Sequence, residues 1–258
     1  MRSFQPGLVS ITFRKLNPAE VVALCQKSSL KLIEWGGDIH VPAGDRATAE
    51  EVRAMTEQAG LATTCYGSYW RAEEDVPFEP VLQSAVALGA PKIRIWAGAK
   101  SSERTSDLEW AEIRDRILFA ADQSEAHRIG LTLEIHPNTL TDYPQPALRL
   151  LTSLEKRVSA HWQPSPYLNP EQNFSFLQLV APFISGFHVF HWLTTHGEID
   201  RRPLAEGLKD WHHFLSLAPA GSHPLMLEFV RGDEPGQLNA DAAALHQLAA
   251  QLNQDGGA

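Results

Sequence analysis

A single (β/α)8 barrel is the fold this sequence predicts, and three observations predict it. Eight short apolar runs alternate with eight helix-like stretches along 258 residues, the size of a barrel built from eight βα units. No Pro-, Gly- or Ser-rich linker interrupts the alternation, so one domain spanning residues 1–258 is expected. The first apolar run is followed by "RKLNPAE", which lacks the glycine-rich turn of a nucleotide-binding open sheet.

Taken in order, "GLVSITF" (7–13) reads as the first strand. Asn17, Pro18 and Glu20 form a capping box with proline at the first helical position, so a helix over 17–27 follows. "LKLIEW" (30–35) is the second strand; Thr48 and Glu51 read as a capping box for a helix that Gly60 ends. "LATTCY" (61–66) is the third strand, and a helix near 79–88 leads to the fourth, "KIRIWAG" (92–98). Ser106 with Glu109 opens a long helix toward Gly130, and 131–136 is the fifth strand. Helices near 145–155, 170–180 and 204–216 separate a sixth strand at 157–163, a seventh at 184–190 and an eighth at 224–230. The stretch 238–253 reads as a final helix and "NQDGGA" as a frayed end.

Composition narrows the function. A net charge of -9 with no Lys/Arg cluster argues against a nucleic-acid partner. No stretch approaches the ~20 apolar residues of a membrane span, and the start "MRSFQPGLVS" does not read as a signal peptide. Cys25 and Cys65 form no CxxC and read as two buried thiols. A cytoplasmic protein is expected.

In such a barrel, chemistry gathers at the carboxyl ends of the strands. In "LTLEIHPNTLTD" (131–142), Glu134 and His136 are two apart and share one strand face. Four successive strands end in a lone-pair donor: Glu134, Gln163, His188 and Glu228. Carboxylate, amide and imidazole donors without a thiolate suit one divalent ion of the Mn2+, Mg2+ or Co2+ kind. Two glutamates beside it can also move protons. Plainer readings exist for each residue. Arg94 can pair with Glu134, Arg231 with Glu228, and His188 can be a core histidine. The joint pattern outweighs them, because buried carboxylates without partners are costly. Glu34, His40, Trp96, His136 and Arg201 are candidate substrate contacts. Trp35, Tyr66, Tyr69, Trp70, Trp96 and Trp192 include rings for a sugar's C–H face, and about half of them are expected in the core.

The stretches "IEWGGDIHVPAGD" (33–45), "IRIWAG" (93–98), "LEIHPNTLTD" (133–142), "HWQPSP" (161–166), "FHVFHW" (187–192) and "MLEF" (226–229) resemble the xylose isomerase-like barrel superfamily, in its sugar phosphate isomerase/epimerase group. The resemblance implies a divalent metal, manganese first with Mg2+, Co2+ or Zn2+ as alternatives. Its ligands would be Glu134, Gln163, His188 and Glu228, with Glu134 and Glu228 as an acid/base pair acting through an enediolate. Gln163 departs from the family's aspartate, and Pro166 stands where a second histidine is common. The implied activity is isomerisation or epimerisation of a sugar, sugar phosphate or polyol, with homo-oligomers frequent in the group. The alternatives are a keto-polyol dehydratase and a non-catalytic ligand-binding barrel with a degraded metal site. An abasic-site endonuclease is disfavoured by the charge and by the missing sixth-strand aspartate.

Overall fold

The computed structural model describes residues 1–195 and 198–255. Eight parallel strands close on themselves: β1 (Arg2–Val9), β2 (Leu32–Gly36), β3 (Ala62–Gly67), β4 (Lys92–Ile95), β5 (Gly130–Glu134), β6 (Val158–Trp162), β7 (Ile184–Val189) and β10 (Gly221–Leu227). Between β7 and β10 lies an antiparallel hairpin, β8 (His191–Thr195) and β9 (Glu198–Arg202). Eight α-helices occur among the described residues and surround the barrel: α1 (Pro18–Lys27), α2 (Arg46–Gln58), α3 (Glu79–Leu88), α4 (Asp107–Ala126), α5 (Pro144–Ser153), α6 (Pro170–Val180), α7 (Leu208–Leu215) and α8 (Pro235–Asp255). The molecule is therefore a (β/α)8 barrel. Residues 256–258 of the expected frayed end lie outside the described residues.

Local chemistry explains most boundaries. Asn17 and Ser106 cap α1 and α4 through full capping boxes, and Asn169 with Gln172 does the same for α6. Such caps stabilise a helix by about 1 kcal/mol each. The start of α2 differs from expectation: Asp45, not Thr48, is its cap, accepting from the Thr48 amide at 3.1 Å. At each proline within a strand the ladder is one-sided. Pro6 pairs toward Leu225 of β10, while pairing with β2 begins only at Gly7. Pro224 pairs toward β1, while pairing with β7 begins at Leu225. A residue without an N–H is tolerated where one side of the ladder is missing. This is why β1 begins at Arg2, before the first apolar run. Ser10–Phe13, expected as its end, form a buried 3-10 turn instead.

The apolar core lies between barrel and helices. Trp162 packs edge-on against Phe187, Trp211 and Phe214, and Trp35 and Tyr66 are fully buried. Cys25 and Cys65 are buried free thiols. Among the described residues, no helix is long and apolar enough to cross a membrane.

Candidate active site

The carboxyl ends of the strands open into a cavity of about 320 Å³. Glu134, Gln163 and Glu228 line it, together with Tyr69, Trp96 and His136 from one side and Trp192 and Phe229 from the other. The hairpin forms part of its wall. Trp192 stacks on Phe190, Ile199 faces the cavity, and Thr194 Oγ1 ties the hairpin to the Pro166 carbonyl at 2.6 Å. Sequence reasoning missed this hairpin, because five-residue strands flanking a glycine carry little periodic signal.

Alternation within the strands aims the polar groups inward. Arg94 lies between Ile93 and Ile95 and points into the barrel, where it is 1% exposed. Its Nε donates to Glu34 Oε1 at 2.8 Å, and its Nη1 donates to Glu134 Oε2. Glu134 accepts from three donors. Trp96 Nε1 joins Arg94 on Oε2, and Gln163 Nε2 donates to Oε1 at 2.9 Å. Gln163 Nε2 also donates to the Ile135 carbonyl at 3.1 Å. Both acceptors lack hydrogens, so the amide orientation is fixed by its partners. Trp96 is clamped in turn: His136 stacks on it at 4.2 Å, and the Arg71 guanidinium lies 3.9 Å from its ring centroid.

His188 sits at the centre of three carboxylates. Its Nε2 is 3.1 Å from Glu34 Oε2, and a carboxylate only accepts, so Nε2 carries the hydrogen. Nδ1 then faces Glu134 Oε1 at 3.5 Å and Glu228 Oε2 at 3.6 Å. Among the described residues, neither His188 Nδ1 nor Glu228 Oε2 has a hydrogen-bond partner, although both are buried. Glu34, expected as a substrate contact, is fully buried outside the cavity lining and accepts from His188 and Arg94.

These contacts separate the carboxylates electrostatically. Burial alone would raise all three. For Glu34, His188 and Arg94 outweigh burial and hold the carboxyl well below its usual range. For Glu134, Arg94 and His188 likewise outweigh burial and keep it ionised. For Glu228 burial prevails, aided by the charge on Glu134 and only partly opposed by His188, and the carboxyl is pushed up to about 7. His188 itself is disfavoured as a cation by burial, but Glu34 and Glu228 raise it well above its usual value.

The donors fit a divalent cation. Glu134, His188 and Glu228 each offer one ligand atom, all within 4.8 Å of one another. Ligand atoms about 2.1 Å from a shared ion sit roughly 3–3.5 Å apart, and the 3.5 and 3.6 Å separations are close to that. Two of the three atoms are the unpartnered ones just described. Gln163 turns its amide nitrogen to Glu134, so only its oxygen remains for a cation.

Other sequence candidates lie elsewhere. His40 is buried behind the β2 loop, with Nδ1 2.9 Å from Ser10 Oγ and Nε2 3.1 Å from the Leu16 carbonyl; it braces two loops outside the cavity lining. Arg201 pairs with Asp233 and lies 4.7 Å from the Phe229 ring centroid, supporting that cavity residue from behind. Arg231 bonds Gln237 rather than Glu228. Of the six aromatic candidates, Tyr69, Trp96 and Trp192 line the cavity, while Trp35, Tyr66 and Trp70 are buried away from it. His136 faces the cavity, and its Nδ1 donates to the Pro137 carbonyl at 2.7 Å, leaving Nε2 for a ligand. The hydroxyls of Thr139 and Thr141 lace the following turn, with Thr141 Oγ1 bonded to the Glu134 carbonyl at 2.7 Å. The "HPNTLTD" segment therefore fixes both Glu134 and His136.

Fold and site together define the class: a parallel barrel presenting carboxylates and an imidazole at its C-terminal mouth, the arrangement of barrel enzymes that act on small molecules. The chain belongs to the xylose isomerase-like TIM-barrel family, whose profile matches residues 22–249. Its curated relative, a 3-dehydroshikimate dehydratase of Bacillus anthracis, is 26% identical over 162 residues. That match covers 59% of this chain and spans about half of the relative, 55% of its length. Among solved structures, the probable 3-DHS dehydratase AsbF of Bacillus anthracis superposes with a TM-score of 0.73 at 20% identity, covering 95% of this chain and 99% of that one. A Mycobacterium smegmatis xylose isomerase-like barrel in complex with magnesium gives 0.68 at 15% identity over 96% and 97%. D-psicose 3-epimerase gives 0.70 at 13% identity over 94% and 97%. At these identities the three structures speak for the fold.

Proposed function

We propose that this protein is a divalent-metal-dependent lyase that removes water from a hydroxylated cyclic ketone of the 3-dehydroshikimate class. The observation that carries the reading is the inequality of the two glutamates. Glu134 accepts from Arg94, Trp96 and Gln163 and is held ionised by Arg94 and His188. Glu228 accepts from no donor among the described residues and is poised near neutrality. Two titratable groups driven apart in this way reveal which one exchanges protons.

An epimerase that inverts a carbon needs a proton donor on each face, and here only one carboxyl is free to exchange. Elimination of water needs only one. Glu228 takes a proton from the carbon beside the ketone, and the electron pair moves into the enolate. As the enolate collapses, the C–O bond one carbon further breaks, and Glu228 returns the proton to the departing hydroxide. A C–H and a C–O bond are lost, a C=C bond and water form, and Glu228 is regenerated. A divalent ion held by Glu134, His188, Glu228 and the Gln163 oxygen would act as a Lewis acid on the ketone. Glu134 contributes fixed negative charge, which Arg94 orients. His136 Nε2 accepts from a substrate hydroxyl, and Trp96 and Trp192 exclude water. The 26% identity to a curated dehydratase supports the same reading.

The test is turnover of 3-dehydroshikimate with Mg2+ or Mn2+, followed by the ultraviolet absorbance of the dihydroxybenzoate formed on loss of water. Glu228→Gln should lower kcat by about 10²–10⁴. Absence of turnover, together with deuterium incorporation from D2O into a ketose, would instead establish a sugar isomerase or epimerase, the activity expected from the sequence.

A further inference from the structure

Beneath the cavity lies a second group of polar side chains, of which the proposed chemistry uses only Glu34, as the acceptor that orients His188. Glu34 from β2, Cys65 from β3 and His161 from β6 bring one ligand atom each to within 4.8 Å of one another. None of the three lines the cavity. Glu34 and Cys65 are fully buried and His161 is 2% exposed, yet neither ring nitrogen of His161 has a hydrogen-bond partner. An imidazole always carries at least one N–H, so a buried ring with no partner at either nitrogen is an unmet demand. Its Nδ1 is aimed at Glu34 Oε2, 3.5 Å away, beyond an ordinary hydrogen bond.

The backbone is adapted to this cluster. The β2–β3 register shifts between Ile33 and Glu34, and the β6–β7 register shifts between Ala160 and His161. The extra residues are Thr64 of β3 and Ser185 of β7, so the first bulge re-aims Cys65 opposite Glu34 and the second sets Gly186 opposite His161. Two glycines clear the space. A Cβ on Gly67 would come 2.8 Å from Glu34 Oε1, and one on Gly186 would come 3.0 Å from the His161 ring.

We propose that Glu34, Cys65 and His161 form a second cation site, distinct from the one at the cavity, that takes a borderline-soft divalent ion such as Zn2+. One sulfur, one imidazole nitrogen and one carboxylate oxygen are donors that zinc accepts together and that magnesium or calcium does not. Burial and Glu34 hold the Cys65 thiol protonated without a metal; once a cation displaces that proton, Glu34 and Cys65 match the charge of a dication. The site has no opening to the cavity lining, so the ion enters during folding and acts structurally. His188 connects the two sites, with Nε2 on Glu34 and Nδ1 toward Glu134 and Glu228.

The experiment is expression of the full chain in cobalt-supplemented medium, followed by metal analysis and near-ultraviolet absorption of the purified protein. The expected result is a thiolate-to-cobalt charge-transfer band. The band persists in Glu228→Gln and Cys25→Ser and disappears in Cys65→Ser, with one equivalent of metal lost. Cys65→Ala gives the same reading if the serine variant folds poorly, and the parent spectrum alone decides the presence of sulfur ligation. A parent protein without the band, or a band that survives in Cys65→Ser, overturns the second site while leaving the lyase proposal untouched.

Discussion

Replacing Glu228 by Gln should make the metal-free protein more stable, not less, at alkaline pH. Glu228 is buried at 3% exposure, and its carboxyl rises from 4.5 to about 7 in the folded protein. A raised carboxyl means that the folded state binds the proton more tightly than the unfolded chain. The folded protein therefore loses stability as pH rises from about 4.5, and the full penalty is present above about 7. At 1.36 kcal/mol per pH unit, the interval corresponds to about 3 kcal/mol. Glutamine mimics the protonated form and does not ionise. The variant should match the parent near pH 4.5 and exceed it by up to about 3 kcal/mol at pH 8. Urea denaturation in chelator across that range measures the difference directly. A variant that is less stable at pH 8, or a difference independent of pH, would refute the picture of Glu228 as a carboxyl held in an unfavourable place for its chemistry.

Three further outcomes follow from the same geometry. Cations compete with protons for His188 and Glu228, so the Kd for Mn2+ by calorimetry should rise at least about tenfold from pH 8 to pH 6; a flat profile would remove Glu228 from the ligand set. Glu34→Gln offers His188 Nε2 no dependable acceptor and should weaken cation binding about 10–100-fold, whereas unchanged affinity would show that Glu34 does not orient the imidazole. Gln163→Asp removes a donor from Glu134 and places a carboxylate beside it, so thermal melts should show a less stable metal-free protein and a larger stabilisation by added Mn2+; equal shifts in parent and variant would contradict this.

Strand ends were legible because hydrophobic runs mark strands, and alternation marks which residues face inward. Glu134, Gln163 and Glu228 reach the cavity, and His188 meets them, as that reasoning expects. The layer beneath was harder to see. His161 lies two residues before Gln163 and shares its face, a signal available in "HWQ", but a histidine inside an apolar strand reads as core. Glu34 has the same ambiguity: its position at a strand end suggests substrate, and only the contacts with Arg94 and His188 reveal its place below. Loop residues were least legible. His40 follows β2 and Arg201 lies in β9 of the hairpin, and the long-range partners Ser10, Leu16 and Asp233 hold their side chains. Periodicity does not encode such partners.

The glutamine at position 163 has a physical logic that the family resemblance alone obscures. Three buried carboxylates, Glu34, Glu134 and Glu228, face one permanent cation, Arg94. With a dication at the cavity alone and His188 neutral as its ligand, these charges cancel. An aspartate at position 163 would leave one negative charge uncompensated in a place where burial already pushes Glu228 up to about 7. Isolated buried charge is far more costly than an amide whose hydrogens are satisfied, and both hydrogens of the Gln163 amide are satisfied, by Glu134 and by the Ile135 carbonyl. The amide therefore need not mark a degraded site.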